Sequence, residues 1–160
     1  MHLNVTLGGI YGLDLNNTDL VTLYESTLEA LAYETKFIFE EMKLSKLKTV
    51  LMCGGLTKNE AYLQIHADVL NCEVISMRVG ETDMMLVGSA ILAKQAALKS
   101  DLNFENVCNV TFADLQSNVV KPDLSLQVYH ETKYKCYKQL MAAAEQVETL
   151  MSQVDASENS

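Results

Sequence analysis

Thr49-Val-Leu-Met-Cys-Gly-Gly-Leu-Thr-Lys-Asn-Glu-Ala-Tyr-Leu-Gln64 is the stretch that decides the fold. Thr49–Cys53 is a continuous β-branched and apolar run. Such a run reads as a strand buried on both faces, the kind found in parallel sheets. Gly54 and Gly55 stop it. A helix is expected to open at once, with Thr57 as N-cap and Glu60 three residues on as its capping-box partner. Glycines at the carboxyl end of a strand leave backbone free of side chains, and the following helix start offers unpaired N–H groups to an anion. Ligands of α/β sheets bind at that end of the strands. Strand, glycine pair and helix also form a common structural turn, so the residues alone leave both readings open.

Outward from this stretch the pattern repeats. Upstream, Val5–Tyr11 reads as a short strand punctuated by Gly8, Gly9 and Gly12. Asn16-Asn17-Thr18 supplies turn and cap chemistry, with Asp19 in the first helical turn. Apolar residues from Leu20 to Met42 recur at helical spacing. Downstream, the second helix is expected to reach about Leu70, Asn71-Cys72 turns the chain, and Glu73–Met77 is a second strand. A helix over Asp83–Ala97 follows the polar loop Arg78–Thr82, with Ser89, Ala93 and Ala97 forming a small-residue face. Asp101–Leu126 is less regular and contains the one proline, Pro122. Gln127–Val154 returns to helical spacing as a polar, peripheral helix. Alternating strands and helices predict an α/β domain with a largely parallel sheet.

Bulk properties narrow the function classes. The 160 residues suffice for one domain, and an apolar share of 49% suits a globular chain. The net charge of −9 argues against non-specific nucleic-acid binding and against docking on anionic membranes by charge. No apolar run reaches the ~20 residues of a membrane span, and no leader is read at Met1–Asn4. A cytoplasmic location is expected. Any phosphate site must be local and built from backbone N–H groups. Cys53, Cys72, Cys108 and Cys136 form no Cys-x-x-Cys pair and read as reduced thiols, Cys53 and Cys72 within apolar runs. His66 and Asp68 lie two apart on a helix and so point in different directions, which argues against a metal pair. His130 is expected at the surface. No metal site is expected.

Gly54-Gly55-x-x-x-Asn59, then Gln64, Ala67-Asp68, Asp83 and Gly88-Ser89-Ala90, resembles the adenosine-motif region of FGGY carbohydrate kinases. Gly9–Leu13 and Thr27–Thr35 are similar to that family's glycine strand and the helix after it. The resemblance covers roughly Thr6–Ala97, and its wording, with the helical tail from Tyr129, is closest to eukaryotic members of the D-ribulose kinase type. It implies the C-terminal domain of the actin/hexokinase-like, ribonuclease H-like ATPase fold: a central sheet flanked by helices, truncated at its N-terminal side. The implied division is residues 1–126 as a partial nucleotide-binding domain, 127–154 as a helix packed on it and 155–160 as a disordered tail.

The resemblance also implies roles. ATP, with Mg2+, is the implied cofactor. Gly55 would pass close to phosphate and ribose, Asn59 would bond the adenosine portion, and Gly54 would shape the turn. Gln64 and Asp83 are weaker candidates. Asp83 stands where the family has Glu. Alternatives stay open: Asn59 as a helix-start residue, Gln64 and Asp68 as ties to neighbouring loops, and Gly88 as a packing residue. No catalytic residue is assigned in this chain. The family's base and first phosphate loop lie in an N-terminal half without counterpart here, and Asp14 and Asp19 read as turn and cap residues. The expected activity of the whole is transfer of the ATP γ-phosphoryl to a pentulose such as D-ribulose, the partners being ATP or ADP and a sugar bound through the missing half. A glycerol or xylulose kinase fragment and a non-catalytic nucleotide-binding or interaction module are the competing readings. Self-association is expected from the missing strands.

Overall fold

The computed structural model describes residues 9–16, 18–44, 46–78, 84–97, 104–113 and 115–158. Helix α1 spans Leu20–Glu41. Its N-cap is Asp19, not the Asn16–Thr18 stretch. The Asp19 carboxylate accepts from the amides of Val21 and Thr22, each at 3.0 Å. Asp14 is a turn residue, its carboxylate accepting from the Asn16 amide at 2.6 Å. Of the expected strand Val5–Tyr11, residues 5–8 lie outside the described residues, and Gly9–Tyr11 form no strand.

Strand β1 spans Thr49–Met52 and β2 spans Glu73–Arg78, and the two pair in parallel. Helix α2, Glu60–Leu70, connects them. Asn71 ends that helix in the left-handed conformation at φ 50°, which Asn tolerates better than most residues. Strand β3, Gln116–Val120, pairs antiparallel with β2, giving the order β1-β2-β3. The sheet is therefore mixed.

The two-sided burial expected of β1 is not what the structure shows. Among the described residues β1 pairs with β2 alone and lies at the edge of the sheet; its residues alternate between exposed and half-buried, and Leu51 is 61% exposed. The Cys53 thiol beyond it is likewise exposed, while Cys72 is buried. An apolar run records the tolerance of a strand for burial, but the partner that covers its second face is a tertiary fact.

The segment read as irregular, Asp101–Leu126, contains a helix, the strand β3 and a short 3-10 turn at Leu124–Leu126. Helix α3 spans Met84–Ala97, and α4, Phe104–Thr111, packs on it through Val87, Ile91 and Val107. The small-residue face of α3 is not a packing face. Gly88, Ser89 and Ala93 are exposed, and a Cβ at Gly88 would meet nothing within 4 Å. β3 was unreadable because it is polar and mostly exposed along its length.

α2 is the central helix. One side packs on the sheet through Leu63 and Ala67 against Val74, with Met52 and Val120 beside them. The other meets α1 and α5 in a cluster of Ala32, Tyr33, Val69 and Tyr134. Each large side chain buried this way contributes about 1.5–3 kcal/mol. Helix α5, Gln127–Glu158, continues beyond Val154, so 155–158, expected to be disordered, are helical, and 159–160 lie outside the described residues. Its first half belongs to the core. His130 is buried, not a surface residue, and its Nδ1 lies 3.0 Å from the Tyr33 hydroxyl.

Candidate functional site

The chain leaves β1 at Met52 and turns at Gly54, whose φ of 105° and ψ of 179° lie in a region open essentially to glycine alone. Gly55–Lys58 then form one 3-10 turn before α2 begins. Gly55 is different from its neighbour. Its φ is not positive, and a Cβ built there meets nothing within 4 Å. Neither backbone conformation nor internal packing asks for glycine at 55. The space above it is open, at the amino end of a helix that follows a parallel strand.

The helix start differs from expectation. Thr57 is not the N-cap. Its hydroxyl donates to the Gly54 carbonyl at 2.7 Å and closes the glycine turn. Asn59 is the cap: its Oδ1 accepts from the Tyr62 amide at 3.3 Å, and its Nδ2 donates to the Tyr24 hydroxyl of α1 at 2.5 Å. The inserted 3-10 turn moves the N-cap from Thr57 to Asn59, so the expected capping box of Thr57 and Glu60 does not form. The amide of Asn59 retains one Nδ2 hydrogen for a ligand.

Gln64 and Asp68 are brought together as ties. Gln64 Nε2 donates to Asp68 Oδ1 at 2.9 Å and to the Lys121 carbonyl at 3.0 Å. Asp68 Oδ1 also accepts from the Asp123 amide at 2.7 Å. These bonds fasten α2 to the loop after β3. Asp83 lies outside the described residues. His66 is fully buried, its Nδ1 2.8 Å from the Tyr62 carbonyl and its Nε2 3.5 Å from the Thr35 hydroxyl. Burial pushes its pKa below the ordinary histidine value, partly offset by the Tyr62 carbonyl. Among the described residues no group of three or more His, Cys, Asp or Glu is placed to hold a metal ion, and no helix is long and apolar enough to cross a membrane.

Sequence reasoning missed Tyr24, the partner of Asn59 across α1, and a polar cleft of about 260 Å3 beside the 3-10 turn. Thr57, Lys58 and Glu60 line the cleft on the helix side, and Ser76 and Asn118 on the sheet side. One signal was readable: Ser76 is a hydroxyl at an inward position of β2, between the apolar residues Ile75 and Met77.

Residues 4–97, more than half of the chain, match the C-terminal domain of the FGGY family of carbohydrate kinases. The chain belongs to that family. This FGGY domain is 32% identical over 143 residues to the FGGY carbohydrate kinase domain-containing protein of Homo sapiens, an overlap of 86% of the chain and 25% of that protein. Among solved structures it is similar to the xylulose kinase from Rhodospirillum rubrum, with a TM-score of 0.61 at 20% identity over 85% of the chain and 27% of that structure. It is also similar to Plasmodium falciparum glycerol kinase with ADP, with a TM-score of 0.52 at 22% identity over 88% of the chain and 26% of that structure. The domain has the α/β fold of the actin/hexokinase-like sugar kinases, here as a small mixed sheet flanked by helices. It spans about a quarter of the length of the curated relatives it matches. Within the matched span lie Gly54, Gly55 and Asn59.

Proposed function

We propose that this domain is the nucleotide-binding part of a carbohydrate kinase that transfers the γ-phosphoryl of ATP to a hydroxyl of a sugar or polyol, a pentulose such as D-ribulose being the favoured acceptor. The observation that carries the reading is Gly55: a glycine that neither φ nor packing requires, with open space over it, at the start of a helix beyond a parallel strand. Such a position lets backbone approach a phosphate or ribose without a side chain between them. ATP fits this turn. First-turn N–H groups of α2 would hold negative charge, Gly55 would bring backbone close, and the spare hydrogen of Asn59 would meet the adenosine portion. Mg2+ would arrive on the phosphates, since Mg2+ commonly keeps its waters and phosphate ligands rather than an all-protein cage.

Phosphoryl transfer is mostly positioning and charge stabilisation, and it needs a group to take the proton of the attacking hydroxyl. The family resemblance assigns that group, and the sugar contacts, to the N-terminal half of such kinases. In this reading the domain binds and orients nucleotide, and the rest of the kinase supplies the acceptor and the base. A cytoplasmic kinase is the expected setting. Isothermal titration with ATP and ADP tests the binding, and a coupled assay with D-ribulose, xylulose and glycerol tests the chemistry. The domain by itself should bind nucleotide and phosphorylate none of the three. Turnover of roughly 1 per second by this domain alone would refute the division of labour, and absence of saturable nucleotide binding would refute the site.

A further inference from the structure

We propose, on the nucleotide reading of the glycine turn, that Tyr24 is a positioning residue for the nucleotide: its hydroxyl holds the Asn59 amide in the orientation that receives the ligand, so α1 preforms a contact made from α2. Tyr24 stands in the second turn of α1, 35 residues before Asn59. The packing of the two helices brings them together. Tyr24 meets Asn59, the Thr35 hydroxyl lies 3.5 Å from His66 Nε2, and Lys36 Nζ donates to the Val69 carbonyl at 2.9 Å. The numbers rise together along both helices, so α1 and α2 lie side by side and run in the same direction. The early turns of α1 therefore reach the end of α2 from which the glycine turn departs.

An asparagine amide offers an acceptor oxygen and two N–H donors. Asn59 Oδ1 accepts from the Tyr62 amide at 3.3 Å, a long bond that by itself holds the side chain loosely. One Nδ2 hydrogen goes to the Tyr24 hydroxyl oxygen at 2.5 Å. The two bonds grip the amide at its oxygen and at its nitrogen, and so fix both its plane and its sense. The second Nδ2 hydrogen becomes a donor of set direction. Asn59 is half-buried, so without Tyr24 its amide would exchange that bond for water and turn. A side chain left free is ordered only when ligand binds, and affinity falls by that cost; one already braced by the fold escapes it. Packing does not account for Tyr24. Its ring is 52% exposed, and the α1 residues in the core cluster are Ala32, Tyr33 and Phe37. The fold uses its hydroxyl, and uses it on the one side chain of the turn that combines a cap with a spare donor.

Calorimetric titration of the full chain with ADP, below the melting temperature, tests the assignment in a double-mutant cycle of Tyr24→Phe and Asn59→Ala. Tyr24→Phe removes a single oxygen from a half-exposed ring, and circular dichroism checks that the fold is kept. It should weaken ADP about threefold. In the Asn59→Ala background the same substitution should change ADP affinity no further, because the hydroxyl acts only through the amide. A role in stability alone would lower Tm and leave the affinity of the folded protein unmoved. Wild-type affinity in the Tyr24→Phe protein, with Asn59→Ala weakened, would overturn the role of Tyr24 and leave the nucleotide site standing. An equal loss with and without Asn59 would show that Tyr24 acts independently of the amide, and the positioning role would fall. If the wild-type chain shows no saturable ADP binding, the nucleotide reading fails and the role of Tyr24 fails with it.

Discussion

Gly54 and Gly55 are adjacent and chemically identical, yet the structure assigns them opposite consequences on substitution. At Gly54 the backbone stands at φ 105° and ψ 179°, where an alanine is strained whatever the surrounding space. Gly54→Ala should cost about 1–3 kcal/mol of stability, a fall of several degrees in Tm for a chain of this size. At Gly55 the φ is one that any residue adopts, and the added methyl meets no atom within 4 Å. Gly55→Ala should leave the fold intact and stabilise it by about 0.4–1 kcal/mol, because alanine loses less chain entropy on folding. The same methyl would stand in the path of a phosphate or ribose drawn onto the turn. Forcing a group into filled space costs about 1–3 kcal/mol, which at the lower end is close to a tenfold loss of affinity. Thermal unfolding and calorimetric titration with ADP, run on both variants, separate the effects. A Gly55→Ala protein that melts no lower than wild type and binds ADP about tenfold more weakly bears out the site. Unchanged ADP affinity in that protein would refute the reasoning, because the open space above Gly55 would then hold no ligand.

Asn59→Ala should lower both stability and nucleotide affinity, because Asn59 caps α2 and braces Tyr24; a loss of about 0.5–2 kcal/mol by denaturant titration is expected, and an unchanged midpoint would refute the cap. His66 and His130 are both held below the ordinary histidine pKa of 6.5, chiefly by burial, with Glu29 and Asp68 pulling His130 back up and Lys133 and Lys36 opposing them. The unfolded chain therefore binds more protons than the native one as pH falls below 6.5, so stability should be full above that pH and decline below it. Tm measured from pH 7.5 to pH 5 reads this, and His130→Gln should flatten the acid limb; a Tm independent of pH over that window would contradict it. The exposed edge at Leu51 and the exposed Met85, Leu86 and Leu92 of α3 should make the isolated chain self-associate. Light scattering is the check, and a monodisperse monomer with cooperative unfolding would show that these faces need no cover.

The sequence by itself determined the alternation of elements and the position of the glycine turn. Hydrophobic spacing located α1 within a residue of its observed ends, and the run at Thr49–Met52 with Gly54-Gly55 after it located β1 and the turn, because both signals are local. The spaced glycines and Asn59 also carried the family. Three things depended on contacts between distant residues and were decided only by the tertiary structure. Among the described residues β1 is an edge because β2 and β3 both lie to one side of it, which no property of Thr49–Met52 records. β3 is a strand because β2 offers it a partner, although its own residues are polar and mostly exposed. The N-cap of α2 moved from Thr57 to Asn59 because Thr57 bonds back to the Gly54 carbonyl and Asn59 reaches both its own helix and Tyr24, 35 residues away. A cap belongs to whichever side chain the folded turn presents to the first free amides, and that choice was made by α1 packing beside α2.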